Sequence, residues 1–143
     1  MFIGEFHHTL DEKNRVSIPK KFRQDLDDGL VITRGLDGCL YIYTKEKWSE
    51  KAEQITSLPM TKRDARAFQR HMFSGAMDIQ MDKQGRIIIP DYLKKDSEID
   101  KRLVITGLYD RLEVWNEEKW NKYLENNSKE SDEIAESMSE LGI

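Results

Sequence analysis

The chain has little with which to do chemistry or to enter a membrane. Cys39 is the only cysteine in 143 residues, so no internal disulfide can form, which suits a reducing cytoplasm. No apolar run approaches the roughly 18 residues of a membrane span. The N-terminal MFIGEFHHTL has no basic segment followed by an apolar one, so no secretory leader is expected. There is no glycine-rich phosphate loop, and Ser17, Ser49 and Ser74 lie in no nucleophile-elbow context. His7 and His8 are adjacent and point to opposite faces of a strand, while His71 is distant, so no ligand set has zinc spacing. These absences lead us to expect no catalytic residues, no metal, no cofactor, no small-molecule substrate and no membrane partner.

Acidic balance is the other apparent exclusion. The net charge of −4 argues against a nucleic-acid partner. Its distribution weakens that objection. From Glu125 onward there are six acids (Glu125, Glu130, Asp132, Glu133, Glu136, Glu140) and one base, Lys129, so the preceding body carries +1. Lys13, Arg15, Lys20, Lys21 and Arg23 fall in a run with no acid from Lys13 through Gln24. Screening over about 8 Å makes such a local run matter more than the total.

What the chain does have is an internal repeat. LVITRGLDGCLYIYTKEKW (Leu30 to Trp48) faces LVITGLYDRLEVWNEEKW (Leu103 to Trp120), and HTLDEKNRVSIPKKF (His8 to Phe22) faces IQMDKQGRIIIPDYL (Ile79 to Leu93). Two copies at a period near 72 residues are too few for a solenoid. They predict one domain made of two related halves, or two fused copies of a module that otherwise dimerises. In each half a short alternating strand (FHHTLD, MDIQMD) meets a polar turn, and a β-branched strand (RVSIP, RIIIP) follows. Proline then ends the strand and opens a helical turn or two. Two further strands (LVITR with CLYIYT, RLVITG with RLEVWN) precede a closing helix. The fold class expected is mainly β with helices, α+β. The expected organisation is 1–58 for the first half, 59–76 for a connecting amphipathic helix, 77–124 for the second half and 125–143 for an acidic tail. Thr61 is the expected N-cap of the connecting helix, and the closing helix of the second half is expected to fray into the tail. Trp48 and Trp120 occupy equivalent places and read as packing anchors.

The repeated polar loop is harder to explain by packing. Asn14 aligns with Gly85, the two residue types that most readily take positive φ, so each loop is expected to hold a left-handed position just before its arginine. Asp11 and Asp82 open the turns and can accept backbone N–H groups or pair with Arg15 and Arg86 four places on. Lys13 and Lys83 place a second base near each arginine. A single exposed Asp–Arg pair is ordinarily a solvated ion pair contributing under about 1 kcal/mol. Its recurrence at a loop tip, where no core requires it, points to an anionic ligand. Arginine matches phosphate and the O6/N7 edge of guanine. Lys13, Lys20, Lys21 and Arg23 then make the first half the more basic reader.

These residues resemble the MraZ family of bacterial transcriptional regulators. MFIGEFHHTLDEKNRVSIPKKFR, DKQGRIIIP and the doubled LVIT block carry the resemblance, which covers residues 1 to about 125. It implies two fused SpoVT/AbrB-type swapped-hairpin β modules and a ring-shaped homo-oligomer, cytoplasmic and nucleoid-associated. The implied partner is double-stranded DNA, as direct repeats in the promoter of the chain's own division and cell-wall gene cluster. The family's D-x-x-x-R signature falls on Asp11 with Arg15 and on Asp82 with Arg86; Asn14 stands where glycine is common. The DNA-binding set expected is Lys13, Asn14, Arg15, Lys20, Lys21, Arg23, Lys83 and Arg86, with Asp11, Asp82 and Gly85 shaping the loops. Two other readings compete. In an AbrB-type antitoxin the acidic tail would grip a basic protein, and a bare β scaffold would only oligomerise.

Overall fold

The computed structural model describes residues 1–143. Its first half runs β1 (Phe2–Thr9), β2 (Arg15–Ser17), α1 (Lys20–Arg23), β3 (Leu30–Arg34), β4 (Leu40–Thr44) and α2 (Lys45–Thr56). Helix α3 (Arg63–Gly75) leads to β5 (Met77–Ile79), β6 (Arg86–Ile88), α4 (Asp91–Asp96), β7 (Arg102–Tyr109), β8 (Leu112–Asn116) and α5 (Glu117–Lys129). Helix α6 (Ser131–Ser139) ends the chain. The α+β class and the paired modules expected from the repeat are what the chain forms. None of its helices is long and apolar enough to cross a membrane.

The two halves exchange strands. The main sheet has the order β1-β7-β8-β4-β3-β5, all antiparallel, so β1 lies against β7 of the second half and β5 against β3 of the first. A pseudo-twofold axis between β8 and β4 relates the two sides. Strands β2 and β6 leave this sheet and pair only with each other. Neither half therefore completes its own sheet.

Binary patterning explains the layers. Alternate residues of β3, β4, β7 and β8 (Leu30, Ile32, Leu40, Ile42, Leu103, Ile105, Leu112, Val114) face one cluster. Val16, Ile18, Ile87 and Ile89 of the ribbon segment and Phe22 and Leu93 of the short helices complete it. Phe22 meets Phe2 and Phe6 edge-on, each with centroids 5.3 Å apart; burying such a ring contributes roughly 2–3 kcal/mol. The opposite sheet face carries α2, α3 and α5. There Trp48 packs on Tyr43 and Phe73, and Trp120 on Trp115 and Tyr123, as anchors do. Cys39 is buried on this side, and burial pushes its thiol well above the ordinary range.

Several local features differ from expectation. The N-cap of α3 is Lys62, not Thr61, and it makes no side-chain capping bond. A turn from Pro59, whose carbonyl accepts Lys62 N–H at 3.0 Å, moves the helix start past the threonine. The closing helices do have polar caps: Thr44 accepts from Lys47 N–H and Asn116 from Lys119 N–H. The tail does not fray after α5. It breaks at Glu130 and continues as α6, whose apolar Ile134 and Met138 stay partly exposed. His7 bridges Glu5 (2.8 Å) and Glu117 (3.1 Å), tying β1 to α5 with both ring nitrogens facing carboxylates. The hydrogen bond to Glu5, then that to Glu117, raises its pKa. The bridge is thus complete below the ordinary value of 6.5 and lost as pH rises through the raised one.

Gly107 is opposite Gly4 in the β1–β7 ladder, and a Cβ on it would collide with the Phe2 and Ile3 backbone. Gly107→Ala should therefore lower the unfolding free energy by about 1–3 kcal/mol, measured by urea denaturation. An unchanged midpoint would show that β1 is not held so closely at that position.

Candidate nucleic-acid interface

Each polar loop is built around one carboxylate. Asp11 Oδ1 accepts the backbone N–H of Lys13 (2.8 Å) and of Arg15 (2.9 Å), while Oδ2 accepts Arg15 Nε at 2.7 Å. Asp82 repeats this with Gln84 N (2.9 Å), Arg86 N (2.9 Å) and Arg86 Nε (2.9 Å). The structural counterpart of Lys13 is thus Gln84, not Lys83, which the sequence match placed one position away. Backbone bonds close both turns: Asn14 N–H to Asp11 O and Arg15 O from Asp11 N–H, with Gly85, Asp82 and Arg86 doing the same. Such three-residue hairpin loops need a left-handed residue at the bulge. Asn14 takes it at φ 59° and Gly85 at φ 77°, as the Asn/Gly alignment predicted.

The loops are braced from the opposite half. Arg23 on α1 donates Nε to Ile18 O (2.8 Å) and lies so close over Gly85 that a Cβ there would strike its guanidinium. In return, the Asn14 side chain donates to Asp91 Oδ1 (2.7 Å) and accepts from Lys94 Nζ (3.1 Å), both on α4. Ile18 N–H bonds Gly85 O and Ile89 N–H bonds Asn14 O, each at 2.9 Å, so the ladder of the ribbon runs on into the turns.

This ribbon gathers the arginines. Arg15 pairs with Ile88, Val16 with Ile87 and Ser17 with Arg86. Val16 and Ile87 are buried, so Arg15, Ser17, Arg86 and Ile88 share the outer face. The arginines sit diagonally, roughly 7 Å apart along the strands, about two base-pair steps. Their side chains are 28% and 29% exposed. In each the aspartate engages Nε, and both Nη groups have no protein partner. A planar donor pair is thereby held in place and left free. Lys13, Lys20 and Lys83 are exposed and pair with no carboxylate. Lys21 is held over Phe6 and Phe22, with Nζ 5.5 and 5.4 Å from their centroids. Arg23 and Asn14 are engaged as braces. The outward places of Ser17 and Ile88 were passed over in the sequence, although strand alternation from Arg15 and Arg86 would have given them.

The fold and this surface define a class: two fused, strand-exchanged modules that present one two-stranded β-ribbon armed with paired arginine loops. A family model described as "MraZ protein, putative antitoxin-like" matches residues 1–71 and again 72–141. Proteins named transcriptional regulator MraZ from Clostridium tetani and Clostridium acetobutylicum are 50% and 48% identical to the chain, over the whole of both sequences. One from Alkaliphilus metalliredigens is 43% identical over the same span. The chain belongs to the MraZ family, whose named members here are regulators of transcription and not a class of enzyme.

Both loop carboxylates titrate below the ordinary value of 3.8. The largest cause is the backbone N–H of Arg15 or Arg86, followed among the lowering effects by the arginine side chain and the remaining loop amide. A depressed native pKa gives a contribution that is full above the ordinary value and lost as pH falls through the native one. In an NMR titration the amide signals of Lys13, Arg15, Gln84 and Arg86 should hold steady through pH 3.8 and move only below it. Movement centred at or above 3.8 would contradict the capped-carboxylate geometry.

Proposed function

We propose that the chain is a sequence-specific DNA-binding transcriptional regulator that reads double-stranded DNA with the β2–β6 ribbon. The observation carrying this reading is the shared outer face of Arg15 and Arg86, each braced through Nε with its Nη groups free. A two-stranded ribbon fits the major groove, and arginine donors match guanine O6 and N7. Arg15 and Arg86 are the base readers; Lys13, Lys20, Lys21 and Lys83 supply phosphate attraction. Asp11, Asp82 and Gly85 shape the loops, and Asn14 and Arg23 serve the interface by bracing the turns. No cofactor or small-molecule substrate takes part. The modules are 1–58 and 77–124, joined by 59–76 and followed by the acidic 125–143.

The net charge of −4 leaves one protomer a weak binder. A ring of protomers on direct repeats in the promoter of the chain's own division and cell-wall cluster turns weak contacts into avidity. Heterologous contacts close into such rings and present every ribbon in the same sense. The protein then works in the cytoplasm, at the nucleoid.

A second reading has an observation in its favour. Helix α6 leaves Ile134 and Met138 partly exposed among Asp132, Glu133 and Glu136, and the matching family is described as antitoxin-like. An acidic amphipathic helix could hold a basic protein. Deleting residues 130–143 keeps α5 intact and separates the readings: the regulator keeps its DNA affinity or gains some. Loss of DNA binding on deletion would count against a ribbon-centred reader.

Arg15→Ala should abolish specific gel shifts on the DNA upstream of the gene while the oligomer persists in size-exclusion chromatography. Each good bidentate arginine contact carries about 1–3 kcal/mol of discrimination, multiplied around a ring. An Arg15→Ala protein that still shifts this DNA specifically would overturn the assignment.

A further inference from the structure

The two ends of the ribbon are not alike. Arg15 stands directly across the ladder from Ile88, and Arg86 across from Ser17. Residues so paired have Cβ atoms about 5 Å apart and act on one ligand edge together. Ile88 is 57% exposed, while its neighbours Ile87 and Ile89 are fully buried. It adds nothing to the core, and it leaves aliphatic surface in water beside two guanidinium groups. Strand preference alone would be served equally by threonine. Ile88 also walls a groove of about 600 Å³ that Arg15, Arg86 and Asp82 line. An apolar side chain is therefore placed where the proposed ligand must lie.

We propose that Ile88 is a specificity-determining residue that packs on the C5-methyl of a thymine next to the base read by Arg15. This rests on the DNA-reading function proposed above. In the major groove the thymine methyl is the one apolar feature among donors and acceptors. Arginine cannot recognise it, and an exposed isoleucine can. The Arg15–Ile88 end thus takes a guanine beside a thymine. The Arg86–Ser17 end takes a guanine beside a base edge that exchanges a hydrogen bond with a hydroxyl. A backbone with pseudo-twofold symmetry in this way carries a reader with a direction, so each protomer accepts its site in one orientation. Direct repeats, not inverted ones, present sites in that manner.

The test measures binding by fluorescence anisotropy to a duplex from upstream of the chain's own gene. The duplex is made once with thymine and once with deoxyuridine, which lacks only the methyl. Wild-type protein should bind the deoxyuridine duplex about four-fold more weakly per contacted thymine, the worth of one buried methyl. Ile88→Ser, which copies the first half, should bind both duplexes equally. Ile88→Gln serves as a second apolar-to-polar variant with the same expected equality, should the serine variant bind neither duplex. Wild-type binding that is indifferent to the methyl overturns the inference and leaves the regulator reading standing. So does a methyl effect of the same size in both variants. Failure of the wild-type protein to bind the thymine duplex at all overturns the regulator reading itself.

Discussion

The backbone ladder between β2 and β6 is the constraint on which the rest of the structure depends. These strands have no other partners, and each comes from a different half of the chain. Their pairing buries Val16 and Ile87 against the sheet and turns Arg15 and Arg86 to the same side. Ladder bonds continue into the loops, where Ile18 and Ile89 donate to the carbonyls of Gly85 and Asn14. Each arginine loop is thus shaped by its own aspartate and anchored by the other half. A short surface ribbon would be marginal alone. Here the shared core beneath it and the braces Arg23 and Lys94 hold it in one geometry.

Much of this was legible in the sequence, for physical reasons that are local. Strand alternation, proline after each β-branched run and polar turns all act within a few residues. The Asn14/Gly85 alignment predicted a left-handed backbone because few other residues share that permission. The D-x-x-x-R spacing predicted a carboxylate that meets its own arginine. Strand exchange was legible only through the family resemblance, which implied swapped-hairpin modules, since nothing in the periodicity of FIGEFHHT names β7 as its partner. Cross-braces were hidden for the same reason: Arg23 reads as surface charge until Ile18 and Gly85 are brought beside it. Thr61 failed as a cap because the Pro59 turn set the helix start. The tail read as fraying because its acids dominate, yet Ile134, Ala135 and Met138 keep a helical spacing.

Symmetry and its breaking divide the work. The positions that match between halves are those that build the core, such as Ile18 with Ile89 and Phe22 with Leu93, and those that build the arginine loops, Asp11 with Asp82 and Arg15 with Arg86. Positions that differ lie at the surface: Lys13 against Gln84, Lys20 against Asp91, Ser17 against Ile88. A duplicated scaffold can hold one backbone geometry twice while its exposed side chains diverge. The net negative charge lies from Glu125 onward, where six acids meet one base, and the preceding body carries +1, so the overall negative charge does not set the field at the arginines.

Recognition of guanine from the major groove by both arginines of one ribbon is the central claim, and methylation protection tests it most directly. Dimethyl sulfate attacks guanine N7 in the major groove and adenine N3 in the minor groove. On the DNA upstream of the gene, bound protein should protect guanine N7 in each repeat. Arg15→Lys and Arg86→Lys, which keep the charge on the DNA but lose the bidentate fork, should each restore reactivity at a different guanine, about two base pairs apart. Protection confined to adenine N3, or a pattern that neither arginine variant changes, would contradict the account.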